Sequence, residues 1–409
     1  MKSLFIAILF FGLIAENPIR QITVSNPKFV GAVPRLTTDA AGNPLLSWVE
    51  KTGEKEAAFY FAVSKNDSND GQGPVFGEKV RVKAPVTMST HAEGMPKIAV
   101  KADGTILAVY EVPRPTAASR FAGDLLYTMS IDNGKTWLEP QPVHQDATPG
   151  KSHSFSNITR LPNGEIGVVW LDEKLPGQEG RPVKFAQTTS GKGFGTAVLV
   201  DDNACQCCRT NVFVDAEQRV HVTYRDLLPG AKVEIASRDI SHAVSTDGGK
   251  TFSKPNVIYA DHWQVNACPH AGPDVTQVGK DIVATWFSGK ENAVGLRLAR
   301  LGSDKLVASV LSNRAKHPQV ATVDGQLVWL WDEAISKDGS NEMGTFVQRI
   351  AMQRISGQKN GSTTYLTPET INAAYPAVLA TKDGLLVAYE AKKGEENVSI
   401  VVQLIDVSL

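Results

Sequence analysis

Apolar and polar residues alternate in short runs along this chain, and the runs come in pairs. Seven segments, Pro34–Glu50, Pro96–Glu111, Ser156–Glu173, Thr210–Asp226, Gly272–Phe287, His317–Glu333 and Tyr375–Glu390, repeat one design. Each has an alternating strand, a turn often carrying Asp-Gly or Asn-Gly, and a second apolar strand closing on an aromatic. The closing aromatics, Trp48, Tyr110, Trp170, Tyr224, Trp286, Trp331 and Tyr389, stand 45 to 62 residues apart, with no helical period between copies. A repeat of that length built from strands predicts an all-β fold: a β-propeller of seven four-stranded blades, each hairpin supplying the two inner strands. After the seventh hairpin one strand is left, around Ser399–Leu404, and Gln21–Ser25 near the start has nothing else to pair with. The two are expected to pair, completing the last blade and leaving no open sheet edge.

The chain opens with Lys2, an apolar run from Leu4 to Ile14, and the small Ala15, the pattern of a secretory signal peptide. Residues 1–15 are therefore expected to be removed, leaving 16–409 as a single exported domain, periplasmic or secreted. The apolar run is too short for a convincing membrane span and no comparable stretch follows. With 42 basic against 43 acidic residues there is no basic excess to drive nucleic-acid binding, which excludes that class of partner.

In a propeller the first strand of each hairpin begins, and the second ends, on one face around the axis. Just ahead of the first strands stand His91, His153, the run Cys205, Cys207 and Cys208, then Cys268 with His270, and His317. The hairpin ends add Glu111, Asp172, Arg225, Asp226, Asp332 and Glu390 to the same face. Imidazole and thiolate together suit copper or zinc, and Met88 and Met95, which flank His91, suit the cuprous ion. In an oxidising compartment four cysteines usually mean disulfides. Cys268 with one of Cys205, Cys207 and Cys208 would staple blades four and five and fix Arg209 and His270 at the mouth, whereas a vicinal Cys207–Cys208 bridge is strained. The readings are compatible, since the histidines can bind a metal beside a disulfide. Arg225 and Arg238, followed by Asp226 and Asp239, read as anion ligands or as an ion-pair network. Trp263 reads as packing or as a platform for a sugar ring.

Ser130-Ile-Asp132-Asn-Gly134-Lys-Thr136-Trp137 and Ser245-Thr-Asp247-Gly-Gly249-Lys-Thr251-Phe252 resemble the Asp-box, or BNR repeat, of the sialidase superfamily. The resemblance implies a propeller, six-bladed in the sialidases themselves, with the box as a structural turn. It also implies candidate catalytic residues: Tyr375 as nucleophile, with Arg225 and Arg314 holding a substrate carboxylate. Arg35 follows a proline here instead of preceding Ile-Pro as in that family. A longer stretch, about residues 200 to 275, resembles a group of exported bacterial sialidase-like proteins sharing a C-x-C-C run, Tyr224-Arg225-Asp226, Arg238-Asp239-Ile240, and Trp263 with Cys268-Pro269 and Gly272-Pro273. Three function classes follow: a propeller binding a small-molecule ligand or a metal at its mouth, an exo-sialidase or related glycoside hydrolase, and a non-catalytic glycan- or protein-binding module.

Overall fold

The computed structural model describes residues 20–65, 75–228, 235–337, 346–356 and 359–407, so the expected leader lies outside the described residues. Seven antiparallel sheets follow one another around a ring, their innermost strands being Val30–Thr38, Lys97–Val100, Ser154–Arg160, Asn211–Val214, Asp274–Val278, Ala315–Val323 and Ile371–Thr381. These open blades 1 to 7, and each pairs with the second strand of its hairpin. The ring closes as expected: Arg20–Thr23 lies against Ser399–Ile405, pairing Arg20 with Leu404 and Thr23 with Val401. Among the described residues no helix is long and apolar enough to cross a membrane.

The second strands explain where the core lies. They are apolar almost throughout, as in "IGVVWL" and "VWLW", because a blade is covered on both faces by its neighbours and neither face meets water. The seven closing aromatics are all buried. Seven apolar clusters fill the seven blade interfaces, for example Trp48 with Leu386 and Val402 between blades 1 and 7, and Trp286 with Ile240 between blades 5 and 4. The apolar core is thus a ring of wedges between blades, which leaves the axis to polar side chains.

The two Asp-boxes form the turns after the third strands of blades 2 and 4. Asp132 accepts the Thr136 amide at 2.9 Å and its hydroxyl at 2.6 Å, while Ser130 Oγ accepts the Gly134 amide at 2.8 Å. Asp247, Thr251, Ser245 and Gly249 repeat these bonds. Each box aromatic meets the preceding blade edge-on, Trp137 on Phe61 and Phe252 on Phe185. Gly249, at φ +88°, sits so close that a Cβ there would lie 2.4 Å from a Phe185 ring carbon, whereas Gly42, at φ +84°, has open space around it. Gly42→Ala is therefore expected to cost about 1 kcal/mol for backbone strain alone. Gly249→Ala should cost about 2–4 kcal/mol because overpacking adds to the strain. Urea unfolding of the two variants checks the difference, and equal losses would count against the interlocking role of the box.

Candidate functional site

At the mouth the innermost strands of blades 1, 3, 6 and 7 are bulged, between Ala32 and Arg35, Ser154 and Asn157, Lys316 and Gln319, and Ala374 and Ala377. Within these bulges Val33, Phe155, His317 and Tyr375 take φ of 50°, 58°, 47° and 54°, a region costly for side chains that carry a Cβ. A bulge frees an amide from the ladder, and a buried amide needs an acceptor. Three of these amides find one on the preceding blade: Val33 donates to Glu390 at 2.8 Å, Phe155 to Glu111 at 2.5 Å and Tyr375 to Asp332 at 2.7 Å. The acids that end the hairpins therefore act first as ties between blades.

Inside this collar lies an axial cavity of about 200 Å³, lined among others by Arg35, Glu93, Arg209, Asp274, His317 and Tyr375. Glu93 accepts the amides of Arg209 and Gly272, each at 2.8 Å. Burial pushes its carboxyl up, but the Arg209 guanidinium and these two amides prevail and hold it below the ordinary range. Asp274 accepts the Val320 amide at 2.9 Å and is pushed up by its burial. Arg35 donates to Asn157 Oδ1 at 2.7 Å; burial and the neighbouring Arg209 charge lower it to about 10, so it stays cationic at neutral pH. The Nε atoms of both Arg35 and Arg209 are buried without a hydrogen-bond partner. Two like charges with donors to spare suit an anionic ligand. The His317 ring lies 4.3 Å from that of Tyr375 and its Nδ1 is 2.7 Å from Asp332 Oδ2. Burial, then Glu390, Asp332 and Glu93, raise the Tyr375 phenol and keep it neutral.

Arg225 and Arg314 do not join Tyr375 there. Arg225 is buried between blades 4 and 5, donating to the carbonyls of Arg238 at 2.6 Å, Ala271 at 2.9 Å and Phe287 at 2.7 Å, with its guanidinium over the Trp263 ring. Arg314 lies over Phe346. Among the described residues no carboxylate hydrogen-bonds the Tyr375 hydroxyl. Asp226 accepts from Ser241 and the Leu227 amide, and burial followed by the Asp201 charge raises it to about 6. Asp239 accepts the amides of His262 and Trp263, and the Trp263 ring packs edge-on against Phe287.

The cysteines lie beside the axial cavity, on the loops that lead into blades 4 and 5. Cys205, Cys207 and Cys208 are buried against Phe155, Cys268 is exposed, and all four are unbridged thiols. Their sulfurs and one imidazole form two donor triads, Cys205–Cys207–Cys208 and Cys207–Cys268–His270, each with its ligand atoms within 4.8 Å of one another. His91 extends the second, its ring 5.0 Å from that of His270. Arg238 Nη1 donates to Cys205 Sγ at 2.9 Å. Hydrogen bonds from Cys207 and Cys208, aided by the Arg238 and Arg225 charges, hold the Cys205 thiol well below its ordinary range; hydrogen bonds to Cys205 and Cys208 push Cys207 up, and burial, then the bond to Cys205, pushes Cys208 up. The other two candidate metal ligands lie apart: His153 is buried, stacked on His144 and paired with Asp172, and His317 faces the axial cavity.

Sequence reasoning missed Glu93, Lys97 and Asp274. Lys97 is fully buried at the axis and donates to the Met95 carbonyl at 2.6 Å. The signals were present, since a lysine opens the apolar run "PKIAV" and a glutamate follows His91 by two residues, but a single charge in a strand pattern does not say which way it points.

Fold and mouth together define a seven-bladed β-propeller whose polar groups converge on the bulged ends of its inner strands. The chain belongs to the BNR repeat-like domain family, which matches residues 48–387. Among solved structures, the α-L-arabinofuranosidase Arb93A of Fusarium graminearum is similar at 13% identity and a TM-score of 0.50, covering 95% of this chain and 98% of that one. The polysaccharide lyase Uly1 is similar at 12% identity and a TM-score of 0.50, covering 98% and 94%. The Hadza microbial sialidase Hz136 is similar at 12% identity and a TM-score of 0.45, covering 90% and 77%. No curated protein matches the chain.

The three carbonyl bonds of Arg225 lead to a direct expectation. Arg225→Met removes the charge but strands three buried carbonyls, and should lower stability by about 3–5 kcal/mol. Thermal and urea unfolding read this; an unchanged stability would return Arg225 to the pool of residues free to bind a ligand.

Proposed function

We propose that this protein is an exported propeller that binds a soft metal ion, copper(I) before zinc, with the cysteine–histidine cluster beside its mouth. The observation that carries the reading is the pair of donor triads, Cys205–Cys207–Cys208 and Cys207–Cys268–His270. Thiolates select copper(I) and zinc over harder ions. Structural zinc asks for four protein donors in a tetrahedron, whereas a three-donor set matches trigonal copper(I) and would leave zinc to complete its shell with water. The buried guanidiniums of Arg225 and Arg238 favour the reading too, because they offset the negative charge of a metal–thiolate centre. The same proximity of Cys207 and Cys268 supports an oxidised form in which they are bridged.

Metal analysis of the untagged protein, with thiol counting before and after reduction, tests this. The reduced protein is expected to hold copper tightly, and replacing both Cys207 and Cys208 with Ala should abolish that binding. A chain that retains neither copper nor zinc, with four titratable thiols unaffected by either ion, would overturn the reading.

A second reading rests on a separate observation, the unpartnered Nε atoms of Arg35 and Arg209 in the axial cavity. These suit a carboxylate-bearing sugar or small acid, with Tyr375 as a stacking surface. The exo-sialidase form of this reading draws no support from Arg225 and Arg314, which lie elsewhere. Glycan-array binding without turnover would favour a lectin-like module, and release of an aryl glycoside a hydrolase. In either case Arg35→Ala is expected to weaken binding about tenfold or more; an unchanged affinity would remove the cavity from consideration.

A further inference from the structure

The two donor triads differ in one respect that a single metal site does not require. Cys205 and Cys208 are sealed from solvent and Cys207 nearly so, whereas Cys268 and His270 are exposed. Cys207 belongs to both groups. An ion arriving from solvent therefore meets Cys268 and His270 first, and it reaches Cys205 and Cys208 only past Cys207. The sealed group also has the compensating charge: Arg238 touches Cys205, Arg225 lies close behind, and the buried Arg181 holds the carbonyl of Gln206 within the C-x-C-C run. His91 neighbours the outer group, its ring 5.0 Å from that of His270.

We propose that the two triads are an outer and an inner station for one copper(I) ion, with Cys207 as ligand at both. The inference rests on the copper reading above and adds a direction to it: capture at Cys268 and His270, storage at Cys205 and Cys208. Transfer exchanges ligands without redox chemistry. The copper–Cys268 and copper–His270 bonds break as copper–Cys205 and copper–Cys208 bonds form, and the copper–Cys207 bond persists. Any proton lost by an incoming thiol is taken up by the departing Cys268 thiolate or His270 imidazole, so charge and atoms balance. Because the ion always keeps a thiolate, it is never released to water between stations. Met95 and Glu93, which line the axial cavity, take no part in the exchange.

Anaerobic loading of the reduced, full mature chain with copper(I), against a coloured copper(I) chelator, separates the stations. The variants are Cys268→Ser with His270→Ala together, which changes exposed side chains, and Cys208→Ala, whose folding is checked by thermal unfolding. The unaltered chain should take up one equivalent in an all-sulfur shell by X-ray absorption. The outer double variant should keep an affinity close to that of the unaltered chain while loading about tenfold more slowly. Cys208→Ala should bind about a hundredfold more weakly, with nitrogen in the shell. Two results would overturn the relay while leaving copper binding intact: an outer variant that loads at the normal rate, or one that loses affinity as severely as Cys208→Ala, which would mean a single shared site. Two equivalents bound tightly would likewise replace transfer with a bridged pair of ions. If the unaltered chain binds no copper at all, the proposed function itself falls.

Discussion

The structure turns on how the amides freed at the mouth are satisfied. Four of the seven innermost strands bulge near the axis, and each freed amide must find an acceptor or leave the strand end unstable. For three of the four, carboxylates of other blades supply it: Glu390 to Val33, Glu111 to Phe155, Asp332 to Tyr375. Asp274 reaches Val320 in the next blade, and Glu93 reaches two further blades at once, at Arg209 and Gly272. Each bond fixes a backbone conformation and the relative position of two sheets together. Arg20–Thr23 completes the seventh blade and closes the ring; the carboxylate ties set the shape of the mouth.

That division decides which charges remain for a ligand. Most of the acids at the mouth are engaged by backbone amides, so the cavity's free capacity lies in its arginines. Arg35 and Arg209 stand near each other in spite of their mutual repulsion, held by Asn157 and by the carboxylates of Glu93 and Asp274. Repulsion of this kind would be relieved by an anion, which is the physical basis of the second functional reading proposed above.

A comparable arrangement preorganises the cysteines. Arg181 donates to the carbonyls of Ser152, Leu171, Asp172 and Gln206, Arg225 to those of Arg238, Ala271 and Phe287, and Arg238 to that of Val265. The loops carrying Cys207 and Cys268 are thereby pinned, so the proposed metal site would lose little conformational entropy on binding. The arginines that looked like ligand residues act through carbonyls: they hold the loops and lend positive charge to the sulfurs.

The alternation of apolar and polar residues determined the seven hairpins, the closing strand and the turn chemistry of the Asp-boxes. Each is a local property, since strand period and turn residues are written in neighbouring positions. The recurrence of His and Cys ahead of the inner strands was legible for the same reason, as was their placement on one face. Whether those residues meet was decided by the tertiary structure. His270 comes to the thiols with His91 beside it, while His153 stacks on His144, and His317, inside a bulge of its strand, turns to Tyr375. Arg225 followed by Asp226 suggested an ion pair, yet neighbours in a strand point to opposite faces, and each took partners from a different segment. For Glu93 and Asp274 the local pattern did not disclose the role, since the amides they accept stand between 46 and 179 residues away. A charge buried at the axis is explained by what the other blades bring to it, and that is fixed only when the ring has closed.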